Sequence, residues 1–196
     1  HIKNVSGKTV PIDESELKLN FPLGYNYIVN FKNELKDKKI KYKTNPTYWY
    51  SLHRSREMSL FESEKLITPQ LQNKPSFTFD QNSFYPDAGG YMVIKKTEDL
   101  TNIKAYLAIF NSKLFYYFIT QTSTPYNNNY YYFKTNYIEP FSIPLLSKEL
   151  EEFLVFKVEQ IIIDKQHGKN TLVYEHEIDL MIYSLYDLSE EEISIV

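Results

Sequence analysis

The feature that most restricts the fold of this chain is a change of hydrophobic period along it. Leu100, Ile103, Leu107, Phe110, Leu114 and Phe118 fall on one helical stripe over 98–119, with Thr97 or Asp99 available as cap. Leu150, Leu154, Val158 and Ile161 form another stripe, opened by Ser147 and stopped at Gly168. A further helix is predicted over about 172–185, with Ile178, Met181 and Leu185 inward, and Ser189 with Glu192 has capping-box spacing for a last turn. Nearer the start, Leu23, Tyr27, Phe31 and Leu35 recur every four residues, which predicts a helix from Pro22 to about Lys39 with these four on its inner face. Between the helical stretches the pattern shortens. Residues 65–68, 76–79 and 91–95 are β-prone pieces separated by Pro69, Pro75, Pro86 and the Gly89-Gly90 turn. Residues 1–20 read as polar loop or edge, 40–62 as irregular, 120–136 as a polar and aromatic loop or hairpin, and 137–144 as extended.

Helices that alternate with such short strands predict an α+β fold: a mixed, mostly antiparallel sheet domain with packed helices, followed by a C-terminal helical hairpin. The predicted division is an α+β domain over 1–144 and an acidic hairpin, or spacer, over 145–196. Charge supports that boundary. Residues 1–144 carry 18 Lys+Arg against 13 Asp+Glu, whereas 145–196 carry 4 against 12. A basic stretch over 1–144 suits a polyanionic partner and an acidic tail does not. The basic residues concentrate in 32–56, where Lys32, Lys36, Lys38, Lys39, Lys41, Lys43, Arg54 and Arg56 face only Glu34 and Asp37. Charge alone leaves two readings standing, a binding patch or a solvated lysine-rich helix end.

Composition removes several classes. The chain has no cysteine, so disulfide scaffolds and thiolate chemistry are excluded. The four histidines, His1, His53, His167 and His176, show no metal-site spacing, and His176 with Asp179 reads as a surface pair on an acidic helix rather than as a ligand set. With five glycines and no phosphate loop, nucleotide binding is not expected. Glu16-Leu17-Lys18 and Glu34-Leu35-Lys36 match a nuclease triplet but lack an acidic partner on a preceding strand. Asn45-Pro46-Thr47-Tyr48 lacks the second proline of the Asn-Pro-Pro-Tyr element that holds a flipped adenine. No apolar run reaches the roughly 18 residues of a membrane span and no signal peptide opens the chain, so the expected compartment is cytoplasmic. A start at His1 without methionine reads as an excised part of something longer.

The segment 121–136 holds Gln121, Thr122, Ser123, Thr124, three consecutive asparagines, three consecutive tyrosines and Lys134. Amide side chains can pair bidentately with adenine in a major groove, while hydroxyls and lysine suit phosphates. The plainer reading is a polar hairpin whose alternate tyrosines pack inward.

Several segments together resemble a known family. Trp49-Tyr50-Ser51-Leu52-His53-Arg54-Ser55-Arg56 is similar to a Trp-Tyr-x-x-x-Arg element of type IIG restriction–modification enzymes, and Lys65-Leu66-Ile67-Thr68-Pro69 to the strand that follows it there. Phe77-Thr78-Phe79-Asp80 precedes Phe84-Tyr85-Pro86-Asp87-Ala88-Gly89-Gly90-Tyr91, which resembles the family's aromatic–diglycine turn. Residues 105–115, Ala-Tyr-Leu-Ala-Ile-Phe-Asn-Ser-Lys-Leu-Phe, resemble its Asn-Ser-Lys-Leu-Phe helix. Residues 137–144 match the strand after its variable region, and Glu177-Ile178-Asp179 with 185–193 resemble its closing helix. The family is the TaqI-like C-terminal specificity domain of adenine-specific DNA methyltransferases and fused restriction enzymes, matched from about residue 21 to the end.

The resemblance implies a DNA target recognition domain. Duplex DNA would be its partner, together with a catalytic methyltransferase or nuclease domain of the same parent chain. No catalytic residue, metal or cofactor is implied here; S-adenosylmethionine and Mg2+ would belong to the parent. Lys39, Lys41, Lys43, Trp49, His53, Arg54 and Arg56 would serve phosphates and guanine, and Gln121, Thr124, Asn127, Asn128 and Lys134 sequence choice. Arg54 reads equally well as a structural arginine tied to a carboxylate near Trp49. A protein-interaction module working through its acidic hairpin, and a degenerate nuclease or methyltransferase fragment, are the competing classes.

Overall fold

The computed structural model describes residues 2–6, 8–52 and 57–196. The fold is α+β with antiparallel strand pairing throughout the described residues. No helix among them is long and apolar enough to cross a membrane. The chain divides into two compact units, 1–62 and 63–196.

In the first unit β1 (Ile2–Val5) and β2 (Lys8–Pro11) form a hairpin, so the polar start is ordered rather than loop. Helix α1 (Glu14–Asn20) follows, then α2 (Pro22–Ile28), a 3-10 turn at Val29–Phe31 and α3 (Lys32–Lys41). The helix predicted over 22–39 is therefore broken, and its stripe is divided between solvent and core. Leu23 and Tyr27 are 85% and 71% exposed, while Tyr25, Ile28, Val29 and Leu35 pack on Ile12, Leu17, Trp49 and Tyr50. The 3-10 turn shifts the helical phase, so a four-residue spacing read straight through it joins residues of two different faces. Tyr50 donates its hydroxyl to the Ile12 carbonyl at 2.6 Å, and burial pushes its phenol up to about 12. The short helix α4 (Met58–Glu62) closes the unit, its first N–H held by the Thr9 hydroxyl.

The second unit is built on β3 (Lys65–Pro69), flanked antiparallel by β5 (Thr78–Asp80) and β6 (Gly90–Val93). Short β4 (Leu71–Gln72) leaves that sheet and pairs instead with β8 (Tyr130–Tyr132), which also pairs with β7 (Pro125–Tyr126). The diglycine turn is a backbone device. A Cβ on Gly90 would sit 2.8 Å from Cβ of Pro86, and Asp87 accepts from the Gly89 N–H to hold the loop.

The stripe over 98–119 forms two helices, α5 (Ile103–Phe110) and α6 (Lys113–Thr122), and Asn102 rather than Thr97 or Asp99 caps the first. Leu100 lies outside the helix and is 92% exposed. The break falls at Asn111-Ser112, where Ser112 is extended and caps α6 through the Phe115 N–H. Asn111 accepts from the Phe77 N–H at 2.9 Å and donates to the Phe77 carbonyl at 3.0 Å, which pins the approach to β5 to the helix. Asn111→Ala removes both bonds and should cost about 1–2 kcal/mol in a denaturant titration, with Asn111→Asp keeping part of it.

After the single turn α7 (Thr135–Ile138), the chain runs irregularly to α8 (Lys148–Gln166), α9 (Leu172–Leu185) and α10 (Glu190–Ile195). These match the predicted helices, including the Ser147 cap and the Ser189–Glu192 capping box, except that Met181, predicted inward, is exposed and Ile182 is buried beside it. They are not a separate unit. Leu154, Val158, Ile178, Ile182 and Tyr183 share one core with Leu66, Leu107, Ile109, Phe115 and Phe133. Asp179, 5% exposed, accepts from the Lys113 N–H at 2.9 Å, so α9 caps α6. Burial pushes the Asp179 carboxyl up, and the Lys113 N–H only partly opposes this. The compact boundary is therefore 62/63 rather than 144/145. Surface charge marked the change at 145, but the apolar faces of α8 and α9 pack on α5 and α6 as well as on each other.

Candidate nucleic-acid interface

The amide-rich segment forms one hairpin. Tyr126 pairs with Tyr130 and Pro125 with Tyr131, around a turn of Asn127, Asn128 and Asn129. Asn128 and Asn129 have φ of 60° and 59°, the left-handed region that asparagine tolerates better than other non-glycine residues. All three asparagines are exposed. Ser123 fastens the base of the hairpin, donating to the Tyr132 carbonyl at 2.7 Å and accepting from its N–H at 3.1 Å. Strand alternation sorts the tyrosines. Tyr131 turns inward, edge-on to Tyr116 at 6.3 Å, while Tyr126 and Tyr132 meet at 5.9 Å on the other face. Lys134 lies over the Tyr132 ring, 4.2 Å from its centroid.

Four of the five residues expected to choose sequence thus come together. Thr124, Asn127 and Asn128 are exposed on the hairpin and Lys134 is half-buried at its foot. Gln121 is exposed one turn earlier, at the end of α6, and donates to Thr120. Tyr126, Tyr130 and Tyr137 also lie on this surface and were not in the sequence-based set. A period-two reading of 130–132 would have separated Tyr130 and Tyr132 from Tyr131.

The lysine-rich stretch is less available than its charge suggests. Lys39 is 6% exposed, donates to Ser51 Oγ at 3.0 Å and the Leu52 carbonyl at 2.6 Å, and has its ammonium lowered by burial. Lys32 pairs with Glu14 at 2.7 Å and Lys38 with Glu34 at 2.9 Å. Trp49, 2% exposed, is inside the core and offers no face to a base. Its indole N–H makes no hydrogen bond of normal geometry, yet it lies close enough to Glu14 to help Lys32 hold that carboxyl below its usual range. Lys39 and Trp49 are therefore structural, because this small unit has few other large groups from which to build a core. Lys36, Lys41 and Lys43 remain exposed, with no ion pair recorded among the described residues. His53, Arg54 and Arg56 lie outside the described residues.

A groove of about 1000 Å³ in the second unit has an apolar floor that includes Leu107, Val158 and Ile178. Its carboxylates are engaged within the fold, Asp179 on the Lys113 N–H and Glu175 on Lys165 and Thr171. Among the described residues no group of three or more His, Asp or Glu is placed to hold a metal ion.

Residues 18–145 match the sequence profile of the TaqI-like C-terminal specificity domain, close to two thirds of the chain. The chain belongs to that family. A TaqI-like specificity domain is a part of restriction–modification enzymes, and the motifs that carry the resemblance now have physical roles. The Asn-Ser-Lys-Leu-Phe element is the break between α5 and α6, the aromatic–diglycine turn links β5 to β6, and the amide hairpin stands between the α6 and α7 blocks. The profile ends at 145, while the core of this specificity domain continues into α8 and α9.

Proposed function

We propose that this specificity domain reads duplex DNA through the 123–134 hairpin and that the methyl transfer or cleavage it directs is performed by a catalytic domain of the same parent chain. The observation that carries the reading is the hairpin tip. Adjacent asparagines at left-handed positions leave their amides exposed, and an amide can donate and accept at once to the N6 and N7 edge of adenine. Exposed lysines of the first unit and the two arginines supply phosphate contacts, which set register without choosing sequence. No cofactor is assigned to this chain; S-adenosylmethionine, and Mg2+ where the parent cleaves, belong to the catalytic part. The compartment is cytoplasmic on this reading, where host and invading DNA are met.

Selection of bound duplexes from a randomised pool tests this. The wild-type domain should enrich a defined motif. Asn127→Ala with Asn128→Ala should blur one or two positions of it, at about 1–3 kcal/mol of lost discrimination per base contact. Arg54→Ala and Arg56→Ala should instead weaken all duplexes alike and lower the salt slope by about 0.9 per lost phosphate. An unblurred motif in the double asparagine variant would remove the hairpin from sequence choice.

A further inference from the structure

The foot of the hairpin differs chemically from its tip. Thr124 Oγ1 and the Tyr137 hydroxyl are 2.7 Å apart, joining the start of β7 to α7. Lys134 precedes α7 as its N-cap residue and is the only charged residue from 114 to 138. Its ammonium rests on the Tyr132 ring and has no ion pair recorded among the described residues. An aromatic face holds a cation in place without neutralising it, so the charge stays available to an anion. Two hydroxyls and one ammonium therefore lie at the foot of the hairpin, on a segment that carries no other charge from 114 to 138.

From this geometry we infer that Thr124, Lys134 and Tyr137 form a phosphodiester subsite at the foot of the hairpin, separate from the asparagine tip that meets base edges. This rests on the DNA-reading role proposed above and divides the labour within it. The Thr124–Tyr137 hydrogen bond stands where a phosphate oxygen would be received, and either hydroxyl can turn outward to donate. Lys134 supplies the opposite charge as a point cation, which suits phosphate and carries no sequence information. The local field agrees. The hydrogen bond with Thr124 lowers the Tyr137 phenol below its usual 10, with Asn136 and the Lys134 charge adding to it against partial burial. Surroundings that favour negative charge at that oxygen favour a phosphate oxygen beside it. Thr124 and Lys134 thereby move from the readers of sequence to the setters of register, and Tyr137 joins them.

The test is a fluorescence-anisotropy titration of the full chain against a random-sequence duplex over a series of salt concentrations. Lys134→Gln should lower affinity for every duplex by a common factor and reduce the salt slope by about 0.9, one phosphate. Tyr137→Phe should lower affinity by roughly tenfold with the slope unchanged, because it removes a neutral donor to a charged oxygen. Circular dichroism and thermal melting of each variant separate this from a distorted hairpin. As a second probe, duplexes carrying a neutral methylphosphonate at one backbone position should include one position that weakens wild type and leaves Lys134→Gln unaffected. Wild-type binding with an unchanged slope in Lys134→Gln, or loss confined to particular base sequences, would overturn the subsite alone. A wild-type chain that binds no duplex at low salt would overturn the DNA reading and the subsite with it.

Discussion

Asp80→Ala is expected to destabilise the second unit by roughly 3–5 kcal/mol, enough to lower its melting temperature by on the order of 10 °C. Lys65 and Asp80 form an ion pair of 2.5 Å with side chains 0% and 2% exposed, on the central strand β3 and its neighbour β5. Asp80 also accepts from the Asn82 and Phe84 N–H groups at 2.8 and 2.9 Å, so one carboxylate satisfies a cation and the exit of a strand. Removing it leaves an ammonium buried and two backbone donors without their acceptor. The pair itself is no net gain over apolar residues of the same size; the penalty arises from leaving half of it. Lys65→Met with Asp80→Leu should therefore recover part of the loss, and only part, because leucine cannot receive the two N–H groups.

The same site sets an acid limit. Burial pushes the Asp80 carboxyl up, but Lys65 and the two backbone N–H groups outweigh it and hold the group below the usual 3.8. A carboxyl lowered on folding contributes stability that is complete above 3.8 and is lost as pH falls through the folded value. Denaturant midpoints measured from pH 6 to pH 2 should fall less steeply below pH 4 in Asp80→Asn than in wild type. Parallel curves would show that Asp80 does not titrate with folding.

Phe115→Ala should cost a comparable 3–5 kcal/mol. Phe115 is fully buried and contacts four rings, with centroids at 5.1 Å to Phe110, 5.8 Å to Phe77, 6.2 Å to Phe133 and 5.0 Å to Phe141. Those rings come from α5, the loop before β5, the residue after β8 and the segment after α7. One truncation therefore opens a cavity under several elements that cannot all collapse into it. Phe115→Leu should recover much of the loss. A melting temperature lowered equally by both substitutions would indicate that edge-to-face ring geometry, rather than volume, holds this core.

Helix α8, helix α9 and the closing capping box were legible because their signals are local. A cap three residues from its partner and a stripe within one helix need no knowledge of the rest of the chain. The failures are equally specific. The 22–39 stripe is spaced like one face of a single helix, yet the turn at Val29–Phe31 divides it, leaving Leu23 and Tyr27 in solvent and Leu35 against the core. The stripe over 98–119 is real, but Asn111 bonds to Phe77, 34 positions away, and the helix stops there to allow it. Among the candidate site residues, the exposure of Asn127 and Asn128 was legible, since three adjacent asparagines have few places to go except an exposed turn. Lys39 and Trp49 were not, because a side chain's type does not say which way its Cα faces.

By itself the sequence determined the closing helices, the three strands of the central sheet in the second unit, the family, and the clustering of amides and tyrosines in one short segment. All of these reside in local order along the chain. Tertiary structure alone decided that the acidic helices share the core of the strands, that half the described lysines of the basic stretch are buried or paired, and that Thr124 meets Tyr137. Each of these depends on contacts between distant residues. Their free energies compare whole arrangements of the chain, and no spacing within a window records that comparison.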